Sequence, residues 1–409
     1  MMNVKVKAGM FLVIGWALSL GFYGCAKKDG GEKNKIIIFQ SKVEITTQLE
    51  AAAEAYQAET GVAVEVWSTT GDDYFHQLRT RIASGEGPTL FSMVPGAEAA
   101  EVGKYLEDLG DLPFVGNIAE NLVEKQNGKI LGIPYTVEGF GIVYNKQIMD
   151  PAQVQDYDAF VTFLRQAQDA GINGFGLSQE SYFLIGHILN TPFAVMSDME
   201  AYMEKLSKGE VRMAETPEFQ DFARFYAAIR DYSYNPLEVN YDKECGDFAM
   251  GKTAAIHQGN WCYGMFADYT LDFEMGLMPF PLLGNDKLAV SVPAVWGINS
   301  QAPAAQKKLA KDFLTWLYTN PTGIRYLTEG FGFIPVVKGV SSQTLDPLSA
   351  EVSRYAMEGK TIPWATNLYP AGVVDVHLVP VAQRFFTSKM SEREFLIALD
   401  EAWAKANGR

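Results

Sequence analysis

Residues 36–67, IIIFQSKVEITTQLEAAAEAYQAETGVAVEVW, contain one complete supersecondary unit. Ile36 to Phe39 is an apolar run of strand length. The spacing of Leu49, Ala52, Ala53 and Tyr56 puts all four on one face of a helix over residues 47–60, and Gly61 stops it. A second strand over 62–67 follows. Strand, helix and strand within about 30 residues is the length of a right-handed βαβ crossover, so the fold opens with a parallel sheet.

The pattern then repeats. A helix is predicted over 73–84, Gly85-Glu86-Gly87-Pro88 breaks it, and residues 89–94 supply the next strand. Amphipathic spacing recurs at Phe160, Phe163, Leu164 and Ala167, at Phe219, Phe222, Phe225, Tyr226 and Ile229, and at Leu309, Phe313, Leu314 and Leu317. Short β-like segments at 175–177, 253–257 and 289–296 lie between these helix faces, which gives α/β layering throughout. At 409 residues the chain exceeds what one core usually organises, so two lobes are expected. With 48% hydrophobic and 20% charged residues it has the apolar material to fold.

The first 25 residues read as an export segment. Lys5 and Lys7 precede the uncharged run 8–24, whose 17 residues fall short of a bilayer-spanning helix. Phe22-Tyr23-Gly24-Cys25 resembles a bacterial lipoprotein signal, in which a small residue precedes the cysteine that is lipidated, although Tyr23 is bulkier than usual. A signal peptide 1–24, a lipidated Cys25 and a polar tether 25–35 are therefore expected. Without residues 1–24 the chain holds 32 basic and 49 acidic groups, a formal charge of −17. Such a chain repels nucleic acid and anionic lipid, so attachment to a membrane falls to the acyl chain. Cys245 and Cys262 are read as buried thiols, although an oxidising compartment would let them pair.

Catalytic and metal motifs are scarce. Gly246 to Thr253 fits the phosphate-loop expression G-x-x-x-x-G-K-[ST], but an acidic segment precedes it and a strand follows, the reverse of the working order. His76, His187, His257 and His377 are scattered, with no cysteine cluster to complete a metal site. No cofactor and no metal are expected.

Several segments, in order, resemble the family 1 extracellular solute-binding proteins, the group of maltose-binding protein and many sugar receptors of ABC importers. They are Glu59-Thr60-Gly61-Val62; Arg81 to Pro88; Phe91-Ser92-Met93; Asn127 to Pro134 leading to Val143-Tyr144-Asn145-Lys146; Phe248 to Ala255 running on to Gly259-Asn260-Trp261; Val295-Trp296-Gly297-Ile298; and Gly332-Phe333-Ile334-Pro335. Thr89 departs from the acidic residue usual in the family. The resemblance implies a two-lobed periplasmic-binding-protein-like fold of class II with three hinge crossings. One lobe would comprise 36–137 with 293–334 and the other 138–292 with 335–409. It implies a monomeric, non-enzymatic receptor that carries a carbohydrate to ABC permease transmembrane subunits, exported and lipid-anchored at the outer face of the cytoplasmic membrane or in a periplasm. The alternatives are the same fold with a non-sugar cargo such as a polyamine or chelate, and a glycan-active enzyme.

A sugar offers hydroxyls at its edge and weakly apolar C–H faces, so its receptor needs flat rings and hydrogen-bonding side chains. Aromatic residues beside polar groups are Trp67, Tyr74, Tyr182, Trp261, Trp296, Trp364 and Tyr369. Trp261, after Gly259-Asn260, is the leading platform; Trp296 and Phe333 lie at crossings, and Trp364 and Tyr369 in a loop-rich stretch. Gln40 and Glu44 follow the first strand at its carboxyl end, where open α/β sheets hold ligands. Glu138 lies at the first crossing. Asp73, with Asp72, sits in the turn after the second strand, where it can also cap a helix.

Overall fold

The computed structural model describes residues 35–69, 73–341 and 345–409. The expected signal peptide, Cys25 and all of the tether but Lys35 lie outside the described residues. Eleven strands build two sheets. They are β1 (Lys35–Gln40), β2 (Ala63–Ser68), β3 (Leu90–Met93), β4 (Glu124–Gln126), β5 (Lys129–Pro134), β6 (Glu138–Asn145), β7 (Ala255–Gly259), β8 (Met275–Met278), β9 (Leu288–Ser291), β10 (Val295–Ile298) and β11 (Thr361–Ile362).

The first sheet runs β2-β1-β3-β10-β5-β4. Its opening is the predicted unit: β1 pairs parallel with β2, from Lys35 on Ala63 to Gln40 on Ser68, across the helix Thr46–Thr60. Gly61 ends that helix at φ 75°, a left-handed conformation that glycine adopts without strain. The next crossover, through the helix Asp73–Ala83, lays β3 parallel to β1. Side chains alternate as a two-faced sheet requires. Ile36, Ile38, Trp296 and Ile298 enter a core under the helices Thr46–Thr60 and Ala304–Thr319, whereas Phe39 and Val295 enter another with Leu78 and Ile82.

In the second sheet, fully buried β6 is central, with β7 on one edge and β9 then β8 along the other. Phe140 and Ile142 face a large helical core that includes the predicted faces Phe160 and Leu164, and Phe219 to Ile229. Val143 faces a smaller core that holds Cys245 and Cys262, both buried free thiols.

The β-like segment 289–296 proves to be two strands in different sheets. β9 ends and β10 begins around Pro293, which has no N–H to give a ladder. Residues 175–177 form one isolated bridge, Gly176 against Ile256, and no named strand. The false phosphate loop is a helix end, Tyr241–Ala249, then Gly251 at φ 69° and a passage into β7. The chain passes between the two bodies three times, between β5 and β6, between β9 and β10, and after Phe333. Thr136 ties the first passage to the third, donating through Oγ1 to Ile334 O at 3.1 Å and accepting from Ile334 N at 2.9 Å. Val336 and Val337 still pack in the first body's core.

Candidate functional site

The ends of several strands converge on a cavity of about 510 Å³ between the bodies. The first body contributes Ser41 to Glu44 beyond β1, Tyr74 and Phe75 from its second helix, Val94 beyond β3, and Glu98. From the second come Glu138 at the start of β6, Trp261 beyond β7 and Trp364 beyond β11, with Tyr182, Phe183, His187 and Tyr241 from helical segments. Pro293 and Ala294, the β9–β10 passage, line it as well.

Gln40 shapes the loop beyond β1 without reaching the cavity. Fully buried, it donates through Nε2 to Ser68 Oγ at 2.8 Å and accepts from Lys42 N at 2.6 Å. That turn delivers Lys42, whose Nζ lies 2.8 Å from Glu44 Oε1 and 2.9 Å from Glu138 Oε1. Burial alone would lower the Lys42 pKa, but the two carboxylates outweigh it and hold the ammonium well above its usual range. Tyr74 is anchored by its hydroxyl, whose single proton is within reach of Phe39 O at 2.9 Å and Ser92 O at 2.8 Å.

The aromatic wall rests on local backbone economy. A Cβ on Gly259 would sit 2.3 Å from the Trp261 ring and 2.5 Å from Gly139 O, so the ring folds back over a residue that has none. Asn260 is a brace: its Oδ1 accepts from Gly139 N and its Nδ2 donates to Ser349 Oγ, both at 3.0 Å. Trp261 Nε1 donates to Gln258 Oε1 at 2.8 Å, which fixes the indole plane. Phe183 lies parallel to that ring, 6.1 Å away at 15°, and Trp364 stands at 82° to it. Phe183 and His187 are presented by a wide turn, Tyr182–Gly186, closed by an i→i+5 bond from His187 N to Tyr182 O, a distortion frequent at functional sites.

Several polar atoms of this wall have no hydrogen-bond partner within the protein: His187 Nδ1, Trp364 Nε1, Tyr241 Oη and Glu180 Oε2. Burial, with His257 nearby, keeps the His187 pKa well below its usual value, so the ring is neutral. Glu98 is pushed up to about 7, by burial first and then by Asp375 and Glu101, against the Val94 N–H that it accepts at 3.0 Å.

The structure thus brings five of the twelve candidates, Glu44, Tyr74, Glu138, Trp261 and Trp364, to one cavity. Gln40 and Asn260 stand behind it as supports. Trp296 and Phe333 belong instead to the first body's core, packed on Tyr135 at 4.0 and 5.8 Å. Tyr369 is buried between Phe193 and Trp403. Trp67, near the sheet edge on β2, donates to Glu65 and carries Arg81 over its face. Asp73 opens its helix; its side chain and Asp72 lie outside the described residues. Lys42, Glu98, Phe183, His187, Tyr241 and Asp375 were not picked out from the sequence. Only Lys42 left a signal, sharing a loop with Gln40 and Glu44. Among the described residues no group of three or more His, Cys, Asp or Glu could hold a metal ion.

The family model described as bacterial extracellular solute-binding protein matches residues 51–358. The melibiose/raffinose/stachyose-binding protein MelE of Bacillus subtilis is 21% identical over 321 residues, 75% of this chain and 74% of that protein. A maltotriose-binding protein of Pyrococcus abyssi is 24% identical over 321 residues, 75% of this chain and 67% of its own. The solved structure of SBP RafE in complex with raffinose superposes with a TM-score of 0.77 at 18% identity, covering 91% of this chain and 99% of that one.

Proposed function

This chain belongs to the bacterial extracellular solute-binding proteins, and from that premise we propose that it captures a carbohydrate, an oligosaccharide above all, for an ABC importer. One observation carries the reading. The cavity between the bodies combines flat rings with unpartnered polar atoms, the two surfaces that a sugar's faces and edges need. The names of the two relatives, binders of melibiose, raffinose, stachyose and maltotriose, support the same cargo.

Glu44, Tyr74, Glu138, Trp261 and Trp364 are the contacts we assign. Trp261 takes a C–H face, and the carboxylates of Glu44 and Glu138 accept from hydroxyls beside the Lys42 ammonium that bridges them. A hydroxyl left unpaired in such a site costs about 1–3 kcal/mol, which is the source of discrimination between sugars. A micromolar ligand needs about 8 kcal/mol in all, within reach of a few stacked rings and several hydrogen bonds. The lobes of this reading are 36–137 with 293–334 and 138–292 with 335–409, save that Val336 and Val337 stay in the first body's core, and they close over the ligand before it passes to permease subunits. The chain acts as a monomer, held at the outer face of the cytoplasmic membrane by lipidated Cys25, and releases its ligand unaltered.

Calorimetric titration of the mature protein against a panel of mono- and oligosaccharides tests this. Saturable heat from at least one sugar, with no hydrolysis product after prolonged incubation, is expected. No heat from any of them would overturn the assignment, and product release lost in E138Q would make the protein an enzyme.

A further inference from the structure

We propose that Glu244 is a positioning residue for sugar binding, holding the Trp261 ring in place through Gln258. The proposal rests on the carbohydrate reading above and adds to it a residue that does not itself meet the ligand.

The inward face of the helix Tyr241–Ala249 carries Glu244, Cys245 and Phe248, all buried. Cys245 and Phe248 join an apolar core with Val143 and Ile256, as such a face should. Glu244 is the exception. It is 2% exposed, it does not line the cavity, and no ion pair among the described residues includes it. Burial pushes its carboxyl well above the usual carboxylate range, against the Gln258 contact that lowers it. An acid in such a place is costly unless its oxygens are used.

Their use is the support of a ring. Gln258, fully buried on β7, stands between the acid and Trp261. Trp261 Nε1 donates to Gln258 Oε1 at 2.8 Å, and Gln258 Nε2 donates to Glu244 Oε2 at 2.6 Å. The direction of this chain is fixed by chemistry. An indole N–H can only donate, so the amide must turn its oxygen to Trp261 and its nitrogen to Glu244, where an acceptor has to stand. A carboxyl oxygen accepts there whether or not the acid holds its proton. Without that acceptor the amide nitrogen is buried unpartnered, and turning the amide over to relieve it would set N–H against N–H at the ring.

The chain also separates the roles of two tryptophans. Trp261 uses its one donor inside the protein and offers the ligand a face, whereas Trp364, whose Nε1 has no partner in the protein, keeps its donor for a sugar oxygen. A face stacks well only at a set angle. Gly259, lacking a Cβ, admits the Trp261 ring, and the chain from Glu244 sets its rotation beside the parallel Phe183.

The test is calorimetry at pH 7 with the saccharide of the panel above that gives saturable heat, on wild type, E244Q, E244L, W261F and the double variant E244L/W261F. An amide at this position accepts from Gln258 as the acid does, so E244Q should bind within about threefold of wild type, and E244L roughly tenfold more weakly. Phenylalanine keeps a flat ring but has no N–H, so the two effects should not add: in the W261F background E244L should change affinity less than about twofold. A readout that needs no folded E244L comes from NMR of ligand-free protein with nitrogen-labelled indoles, in which the Trp261 resonance is the one absent from W261F. That N–H should exchange slowly with water in wild type and in E244Q, and rapid exchange in wild type would overturn the proposal. It is also overturned if E244L binds as tightly as wild type, if E244L weakens W261F as much as it weakens wild type, or if E244Q binds as poorly as E244L, and each of these results leaves the carbohydrate reading standing. No heat from any saccharide would remove both.

Discussion

Replacing Gly96 by alanine should hold the two bodies apart. Gly96 follows β3 at φ 86° and ψ −117°, and a Cβ there would lie 2.3 Å from the carbonyl oxygen of Asn367, which belongs to the opposite wall of the cavity. That is about 1 Å inside ordinary contact, and the obstacle is backbone rather than a side chain that can turn away. Overpacking of this kind costs about 1–3 kcal/mol. Because the clash exists only where the bodies meet, it penalises the closed arrangement and not each body by itself. Sugar affinity should fall roughly tenfold to hundredfold, the fraction of protein competent to bind being reduced by that factor. Alanine at this φ adds a separate strain of about 1–3 kcal/mol that open and closed forms share. A fall in melting temperature therefore does not distinguish the two effects, and the decisive measurements are calorimetric affinity and small-angle scattering. Wild-type protein should contract on adding saturating sugar, and G96A should stay expanded until much more is supplied. If G96A binds as tightly as wild type and contracts at the same concentration, the contact has no part in closure.

Four further outcomes follow from the site and its supports. W261A should weaken sugar binding at least tenfold with little change in urea stability, since the ring is only half-buried; an unchanged Kd would remove it as the platform. K42M should lose about 3–5 kcal/mol in urea titrations by leaving the Glu138 carboxylate buried without a cation. In that variant Glu138 folds protonated, its pKa above the unfolded value, so stability should return as pH falls below the ordinary carboxylate range; a loss under 1 kcal/mol at neutral pH contradicts this. His257, fully buried with Nδ1–H donated to Gly141 O at 2.9 Å, is held near 4 by burial. Its contribution is complete above pH 6.5 and declines as pH falls towards 4, so wild type should lose about 2 kcal/mol more than H257Q between pH 7 and 4.5, and parallel pH profiles would refute it. Finally, C25S expressed in a bacterium fed a labelled fatty acid should carry no label while wild type does; equal labelling would place the anchor elsewhere.

Much of the architecture was legible because helices and strands leave periodic traces. Leu49, Ala52, Ala53 and Tyr56 all turn inward as their spacing requires, and β1 to β3 begin and end within two residues of their predicted limits. The passage at Pro293 was hidden inside a single apolar run, since both of its strands are apolar and only the missing N–H marks the break. The site was harder. Period reports that a residue is apolar on one face but not which of two faces of a buried sheet it takes, and for that reason Trp296 could not be told from a cavity ring. Phe333 follows the same logic. Trp261 was legible through Gly259 and the end of β7. His187 and Phe183 depend on a helical turn that widens by one residue, a departure from the 3.6 period that pattern reading averages away.

The strand order of the first sheet has a consequence for how the polypeptide acquires its shape. β10 lies between β3 and β5, yet it is synthesised only after the entire second sheet apart from β11 has emerged. Until Ile298 is available, β3 and β5 each keep an open edge, a template for wrong partners in a crowded solution. The later-numbered body can gather its central strands first from nearly contiguous sequence, and the earlier one waits for a distant clasp. Long loop closure of this sort makes for slow maturation. Variants that weaken Val295 or Trp296 should accordingly show their effect as aggregation during refolding before any change in the finished molecule becomes visible.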